Sequence, residues 1–187
     1  MELKGIYKSF GENEVLHDIN IVIPKSGRVL ISAPSGSGKT TLLRIMMGLE
    51  KPASGEIINR PRHQAAVFQE DRLPEEFTPV NCVKMTAAHG VTKDSIRRHL
   101  GLVGLEGHCD KPVSQLSGGM CRRVAIVRAV LSGADTVYFD EPFTGLDGDT
   151  KMQVIKYILT NCEGRTLIFV SHCPDDAGLL NAKEIRI

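Results

Sequence analysis

The residues of this chain with the clearest chemical potential lie in a glycine-rich stretch between two apolar segments. Residues 33–41 read APSGSGKTT, and they follow the short apolar run at 29–31 and precede a helical pattern at 42–47. The spacing between Ala33 and the GKT sequence that begins at Gly38 is that of a phosphate-binding loop, in which the first position is usually glycine.

Such a loop binds phosphate mainly through its backbone. A backbone without bulky side chains can wrap a polyphosphate, so that N–H groups and the positive end of the following helix face the anion. Lys39 is expected to reach the β- and γ-phosphates, and the Thr40 hydroxyl to complete the shell of a Mg²⁺ ion. The predicted binding residues of the loop are Ser35, Gly36, Ser37, Gly38, Lys39, Thr40 and Thr41. A chance match in a Gly/Ser-rich turn has odds on the order of one in a hundred, and the strand–helix context favours the phosphate site.

The composition excludes several other classes of protein. Of the 187 residues, 42% are hydrophobic and 24% are charged, and the formal net charge is +1. These values are typical of a soluble domain, and the near-neutral charge gives no support for a nucleic-acid groove. No apolar run approaches the roughly 18 residues of a spanning helix, so we expect a cytosolic protein unless a partner holds it at a membrane. The five cysteines lack Cys-x-x-Cys spacing, which argues against zinc and disulfides.

Alternating strand and helix patterns predict an α/β fold with a mostly parallel sheet covered on both faces. Predicted strands are residues 2–7, 20–24, 28–32, 55–58, 64–68, 136–139 and 166–170, and predicted helices are 39–47, 121–131 and 150–159. From about residue 73 to 110 the pattern indicates a small helical insertion. Ligands of such sheets bind beyond the carboxyl ends of the strands.

Carboxylates and an imidazole follow two of the predicted strands. Asp140 and Glu141 end the strand at 136–139, and His172 follows the strand at 166–170. If the first strand lies beside the strand that feeds the phosphate loop, Asp140 can hold Mg²⁺ and Glu141 can orient or deprotonate an attacking water. The alternatives are a surface Asp-Glu-Pro turn and a structural histidine, although His172 can also contact a γ-phosphate. With the phosphate loop, these residues favour phosphoryl transfer to water.

A second pair of glycines precedes the helical stretch at 121–131. Ser117 is a favourable N-cap residue, and Gly118 and Gly119 follow it. This helix start is a second anion-binding terminus. It lies within or beside the helical insertion, so a site that uses both termini is best completed by a second copy of the chain, related by a twofold axis.

Together these motifs resemble those of the ATP-binding subunits of ABC transporters, in the same order and over essentially the whole chain. The matches are Walker A at 33–40, the Q-loop glutamine Gln69, the signature motif at 116–120, Walker B at 137–140, the catalytic glutamate Glu141, the D-loop at 143–147 and the switch histidine His172. Phe10 matches the aromatic that stacks on adenine, although the residue alone also fits an ordinary core position. The resemblance assigns catalysis to Gln69, Glu141 and His172, Mg²⁺ binding to Thr40, Gln69 and Asp140, and nucleotide binding to Phe10, residues 35–41, Ser117, Gly118 and Gly119.

The resemblance also implies an architecture and an assembly. It implies one domain over 1–187, with a P-loop NTPase core, an N-terminal antiparallel β subdomain and a helical subdomain at about 73–120. Two copies are expected to pair head to tail around two MgATP, each held by the phosphate loop of one copy and the signature motif of the other. Hydrolysis is expected to power permease subunits that hold the chain at the inner face of the cell membrane, for import of a small solute.

Two residues depart from the family pattern. Ala33 replaces the first glycine of Walker A, which is tolerated if its φ stays negative. Met120 replaces the glutamine that usually ends the signature, and we expect little effect because Ser117 and backbone N–H groups contact the phosphates. Residues 48–52 and 67–73 are similar to those of nitrate, sulfonate and taurine importers, without the usual second leucine and aromatic.

Two other functions use a phosphate loop. A soluble ABC ATPase that acts on nucleic acid or the ribosome usually carries two fused cassettes or a long coiled coil, and 187 residues hold neither. The arginine pairs at 97–98 and 122–123 are interpreted as a solvated face or dimer-edge charges rather than a nucleic-acid site. A small-molecule P-loop kinase gives no reason for the motif at 116–120.

Overall fold

The protein is described by a computed structural model of residues 1–34, 36–173 and 175–187, which form a three-stranded sheet, a five-stranded sheet and the helices around them. The strands are β1 (Glu2–Phe10), β2 (Asn13–Val22), β3 (Arg28–Ser32), β4 (Ser54–Ile58), β5 (Gln64–Val67), β6 (Thr136–Asp140), β7 (Thr166–Ser171) and β8 (Lys183–Arg186). The helices are α1 (Lys39–Met47), α2 (Pro79–Lys84), α3 (Lys93–Gly101), α4 (Gly118–Val130), α5 (Gly148–Asn161) and α6 (Asp176–Leu180). Single 3₁₀ turns lie at Glu106–His108 and Val113–Gln115. The predicted α/β fold class is confirmed.

The five-stranded sheet is the centre of the molecule. Its strand order is β5-β6-β7-β3-β8, and every neighbouring pair is parallel. Strands β6 and β7 are buried at every position, as expected for continuous apolar runs covered on both faces. Phe139 and Phe169 stack with ring centroids 4.7 Å apart on the face that carries α4 and α5. Tyr138 and Ile168 pack on the opposite face with α1.

Strand β7 lies between β3 and β6. From the sequence, Asp140 was placed near the phosphate loop on the assumption that β6 lies next to β3. That assumption is wrong. The six residues of β7 are all buried, and such a strand is most stable at the centre of a parallel sheet. Two strand spacings separate β3 from β6 by roughly 10 Å, so the loops beyond the strand ends must close that gap.

The other sheet is antiparallel and has the order β2-β1-β4. Its hairpin between β1 and β2 is tight, because Phe10 pairs with Asn13 and only residues 11–12 form the turn. Only residues 20–22 of the predicted strand at 20–24 are extended, as the end of a strand that begins at Asn13. Gly11 has a φ of 60°, which short hairpin loops commonly require and glycine adopts without strain. The hairpin brings Phe10 beside the loop that precedes α1.

Helices α2, α3 and α4 pack together between β5 and β6 in the chain. Ile96 and Leu100 of α3 are buried in the same core cluster as Val124 and Val127 of α4. Thr92 caps α3 by accepting a hydrogen bond from the Ser95 N–H. No helix in the described parts of the chain is both long enough and apolar enough to cross a bilayer.

Two further parts of the chain differ from the sequence prediction. Helix α4 begins at Gly118 rather than residue 121, because Ser117 caps it by accepting a hydrogen bond from Met120 N–H at 3.3 Å. Helix α6 and strand β8 were not predicted. Each spans at most five residues, too few for a periodic pattern, and β8 is defined by its pairing with β3.

Candidate functional site

A cavity of about 560 Å³ opens at the carboxyl edge of the parallel sheet, between the hairpin of β1 and β2 and the start of α1. It is lined by Phe10, Val15, Gly36, Gly38, Lys39, Thr40, Thr41, Gln69, Asp140, Glu141, Thr144 and His172. Most of the residues singled out from the sequence therefore share one cavity. Ser37 belongs to the loop without lining the cavity, and Ser35 lies outside the described residues. Val15 was missed, because only the tertiary fold brings it here, and Thr144 belongs to the segment matched to the D-loop, which was given no site role.

The loop before α1 is closely packed against the hairpin. Gly38 has a φ of 85° and forms the N-cap of α1. A Cβ at Gly38 would lie 2.6 Å from Val15 Cγ1 and 2.9 Å from the Val15 carbonyl oxygen, so only glycine fits. Among the described residues of the loop, positive φ values occur at Gly36 and Gly38. Ala33 does not require one, which explains why alanine is tolerated there.

Lys39 places a cation inside the loop. The residue is only 8% exposed, and its Nζ donates to the carbonyl oxygens of Ala33 at 2.7 Å and Pro34 at 2.8 Å. The first turn of α1 contains no acidic residue that would offset this cation. The charge of Lys39 therefore adds to the positive end of the helix dipole. The loop is therefore an electropositive cradle suited to a polyanion.

Thr40 and Asp140 meet beneath the loop. The Thr40 hydroxyl donates to Oδ2 of Asp140 at 2.9 Å, and Asp140 is 1% exposed. Its Oδ1 is buried with no hydrogen-bond partner among the described residues. Burial raises the pKa of the Asp140 carboxyl, while the Thr40 hydrogen bond and the charges of Arg122 and Lys39 act in the opposite direction.

This pair of oxygen donors suits a hard divalent cation. Mg²⁺ in nucleotide sites uses one or two protein oxygens and takes its other ligands from water and phosphate. The orphaned carboxylate oxygen of Asp140 beside the Thr40 hydroxyl matches that requirement. The described residues contain no cluster of three or more His, Cys, Asp or Glu side chains that could hold a metal alone. The residues present therefore fit Mg²⁺ bound together with a polyphosphate.

Glu141 and His172 form a polar pair at the mouth of the cavity. His172 Nδ1 lies 2.8 Å from Oε2 of Glu141, and the histidine side chain is 63% exposed. Glu141 has a φ of 49°, a left-handed conformation that costs a residue with a Cβ roughly 1–2 kcal/mol. Its N–H donates to the Val170 carbonyl at 2.9 Å, so the hydrogen bond to β7 holds the strained backbone in place.

Two sequence interpretations are corrected by exposure. Phe10 is 52% exposed at the cavity rim, so the core interpretation is wrong, and Lys8 Nζ lies 4.8 Å from the ring centroid. Arg122 was interpreted as a solvated or dimer-edge charge, but it is only 7% exposed. Its guanidinium points inward because the carbonyls of the loop after β5 are its partners. The sequence gives no signal that separates Arg122 from its neighbour Arg123.

The second glycine pair lies apart from this cavity. Ser117, Gly118 and Gly119 form the exposed or half-exposed start of α4, and none of them lines the cavity. A Cβ at Gly119 would lie 3.2 Å from the carbonyl oxygen of Gly145, so this start packs beside the segment between Glu141 and α5. One chain thus carries both of the helix starts that were predicted to bind anions, and only one of them belongs to the cavity.

Comparison with known proteins gives matches over nearly the whole chain. Residues 16–144 match the family model described as ABC transporter. The aliphatic sulfonates import ATP-binding protein SsuB 3 of Rhodococcus jostii (strain RHA1) is 36% identical over 180 residues, which cover 95% of this chain and 67% of that protein. The Fe(3+) ions import ATP-binding protein FbpC of Escherichia coli O157:H7 is 34% identical over 194 residues, covering 95% and 56% of the two chains.

Solved structures agree with the sequence matches. The dimeric structure of a post-hydrolysis state of the ATP-binding cassette MJ0796 bound to ADP and Pi superposes with a TM-score of 0.83 at 26% identity, covering 100% of this chain and 93% of that one. A bacterial Atm1-family ABC exporter with ATP bound has a TM-score of 0.82 at 20% identity over 94% of this chain and 35% of that one. The second likeness concerns the fold alone.

Proposed function

The chain belongs to the ABC transporter family as an ATP-binding subunit that couples ATP hydrolysis to transport, and from this premise we propose how its own residues bind and hydrolyse the nucleotide. The main support for this proposal is that Lys39 of the phosphate loop lines the same cavity as Asp140 and Glu141. ATP enters with its phosphates on the loop before α1 and its base toward Phe10. The exposed ring of Phe10 leaves a face on which adenine can stack.

The phosphates are held by charge and by backbone N–H groups. The proposed contacts are residues 35–41, of which Ser35 lies outside the described residues. The Lys39 ammonium moves from two loop carbonyls to the β- and γ-phosphates. Thr40, Asp140 and Gln69 would hold Mg²⁺, which would supply positive charge that offsets the charge of the phosphates. The preformed hydrogen bond between Thr40 and Asp140 supports this assignment.

Glu141 is the proposed general base. Its carboxylate accepts a proton from a water that attacks the γ-phosphorus as the bond to the β-phosphate oxygen breaks, which gives ADP and inorganic phosphate. His172, 2.8 Å from that carboxylate, orients it and can donate to a γ-phosphate oxygen. Gln69 completes the proposed catalytic set from the loop after β5.

The second helix start completes the site in a dimer. Ser117, Gly118 and Gly119 of one copy contact the γ-phosphate held by the loop of the other copy, because they lie outside the cavity of their own chain. Two nucleotides are enclosed in a head-to-tail homodimer. The dimeric form of the MJ0796 cassette supports this assembly.

Permease subunits are the proposed partners. The relatives of this chain are named as import ATP-binding proteins, which supports an import role at the cytoplasmic face of a membrane. We place the docking surface near Gln69 and the helical subdomain at about 73–120, within a single domain of 1–187. Relatives named for sulfonates and for Fe³⁺ are 36% and 34% identical to this chain, so the similarity supports import of a small solute without selecting the cargo.

Phosphate release from MgATP without an added acceptor tests the proposal. Specific activity is expected to rise with protein concentration, because the catalytic species is a dimer. A rate that needs an added small-molecule acceptor indicates a kinase, and a rate that depends on nucleic acid and falls steeply with salt indicates the nucleic-acid alternative. Co-purification with membrane proteins from the source cell tests the permease assignment.

A further inference from the structure

Arg122 on α4 is bound to the loop that follows β5. Its guanidinium donates to the carbonyl oxygen of Phe68 at 2.6 Å and to that of Gln69, and its Nε lies 3.1 Å from Oδ1 of Asp71. The side chain is 8% exposed. All three contacts fall within four consecutive residues, so the fork of one arginine fixes the path of this loop.

The charges around Arg122 indicate a specific buried contact rather than a surface ion pair. A buried guanidinium is stable only when it is paired and hydrogen-bonded. Asp71 supplies the opposite charge, and burial raises the pKa of its carboxyl while Arg122 and Arg128 oppose that shift. Lysine cannot reproduce the contact, because an ammonium lacks the planar fork that reaches two carbonyls together.

The contact joins two parts of the proposed site. Gln69 lines the nucleotide cavity with Thr40 and Asp140. Arg122 lies five residues beyond Ser117 on a continuous helix, a rise of roughly 7.5 Å. One rigid element therefore carries both the helix start proposed to meet the partner's nucleotide and the anchor of Gln69.

We propose that Arg122 is a positioning residue, which holds Gln69 in the nucleotide cavity and makes it move together with the signature helix α4. This inference rests on the proposed function, because the proposed function assigns Ser117 and Gln69 their roles at the two nucleotides of one dimer. When the partner's nucleotide captures the start of α4, Arg122 carries that displacement to Gln69 at the chain's own nucleotide.

Arg128 provides a matched control on the same helix. It donates to the carbonyl oxygens of Arg72 and Asp71, both at 3.1 Å. It thus anchors the same loop from the same helix, but beyond Gln69 rather than at it. A general loss of loop packing affects variants of both arginines alike, whereas loss of Gln69 positioning affects only Arg122 variants.

A double-mutant cycle tests the proposal. Arg122→Gln is expected to lower kcat about tenfold, since misplacing a positioned group by an ångström can cost up to ~10²-fold. Gln69→Ala should lower kcat to a similar level. In the Gln69→Ala background, Arg122→Gln should lower kcat by less than a further factor of about two, because the effects of coupled residues are not additive. Arg128→Gln should lower kcat by less than about threefold. The Kd for ATP, measured in EDTA, should stay within about threefold of the parent value in all variants.

Hydrogen exchange of the nucleotide-free protein gives a readout that is independent of turnover. Arg122→Gln should raise the exchange rate of a peptide covering residues 68–70, and Arg128→Gln should act mainly at 71–73. Asp71→Asn with Arg122→Gln removes the unpaired carboxylate, so it should restore folding but not kcat. Arg122→Lys should retain less than half of the parent kcat, because it keeps the charge without the fork.

The outcomes separate the inference from the proposed function. If the parent chain hydrolyses MgATP and Gln69→Ala impairs it, but the losses from Arg122→Gln and Gln69→Ala multiply in full, the inference is overturned alone. Equal losses for Arg122→Gln and Arg128→Gln also overturn it. If the parent chain neither hydrolyses ATP nor dimerises, the proposed function has failed first.

Discussion

The Thr40 hydroxyl donates a 2.9 Å hydrogen bond to Asp140, although 100 residues of sequence and the strand β7 separate the two. Thr40 belongs to the first turn of α1, and Asp140 ends β6. The contact ties the phosphate loop to the carboxylates across the width of two strand spacings. It also leaves Oδ1 of Asp140 buried and unpaired among the described residues, so the site retains an uncompensated acceptor.

Asp140→Asn should raise the thermal stability of the nucleotide-free protein at pH 7.5. Burial raises the pKa of Asp140, so the folded state binds this proton more tightly than the unfolded state does. The ionised carboxylate therefore costs stability above its raised folded pKa, and the cost fades as the pH falls toward the ordinary aspartate value of about 3.9. We expect a gain in Tm of about 2–4 °C, the shift that roughly 1 kcal/mol produces in a chain of this size.

The control is Asp135→Asn, which changes an exposed carboxylate just before the same strand. Its effect on Tm should be small at pH 7.5 and at about pH 4. For Asp140→Asn, calorimetry should give a smaller gain at about pH 4, close to the ordinary aspartate pKa, than at pH 7.5, together with loss of hydrolysis. A gain that grows as the pH falls would have the wrong sign for this account.

Lys39→Ala should weaken ATP binding. The ammonium is the one charged side chain inside the loop among the described cavity residues, and a hydrogen bond to a charged group is worth about 1.5–3 kcal/mol. Isothermal titration should therefore give a Kd that is raised about 10- to 100-fold. The exposed Lys25 gives a matched control, since Lys25→Ala should leave Kd unchanged. An affinity for ATP within threefold of the parent would refute the assigned role of Lys39.

Glu141→Gln should separate binding from hydrolysis. Glutamine has nearly the same size and can keep a contact with His172, but it cannot accept the proton of the attacking water. We expect kcat to fall about 10²- to 10⁴-fold, the usual contribution of a general base, with Kd for ATP nearly unchanged. Glu163→Gln, in the exposed turn before β7, is the control. Hydrolysis by Glu141→Gln at the parent rate would mean that another group is the base.

Met120→Gln should have little effect on turnover. Met120 is partly buried against the core, and Ser117 supplies the side-chain oxygen at this helix start. A glutamine there adds at most one half-exposed neutral hydrogen bond, worth about 0.5 kcal/mol, or about two- to threefold in rate. Steady-state phosphate release measures it. A tenfold gain would show that the side chain at position 120 contacts the nucleotide.

Local patterns predicted the elements that carry the phosphate loop. Helix α1 spans the predicted residues 39–47, and Gly48, its C-cap, has a φ of 80°. The helix start and the glycine stop are both encoded within a few residues, so no tertiary information was needed. Strand β6 was predicted to within one residue for the same reason, because its apolar run is continuous.

Features that depend on long-range pairing were not predicted. The position of β7 between β3 and β6, the short strand β8 and the inward orientation of Arg122 all follow from contacts between distant residues. Adjacent arginines such as Arg122 and Arg123 look alike in sequence, and only the fold places one of them against the loop after β5. The cavity residue Val15 was missed for the same physical reason.

The mass of Glu141→Gln in solution tests the central claim most directly, namely that helix starts from two copies hold each nucleotide. Light scattering should give 20.5 kDa for the nucleotide-free variant and twice that mass with saturating MgATP. Adding Ser117→Asp keeps the N-cap acceptor but sets a carboxylate against the phosphate, so this protein should stay monomeric, while Ser117→Asn keeps the cap without the charge and should dimerise. A monomeric mass with MgATP bound, or dimerisation that is indifferent to Ser117→Asp, would contradict the account.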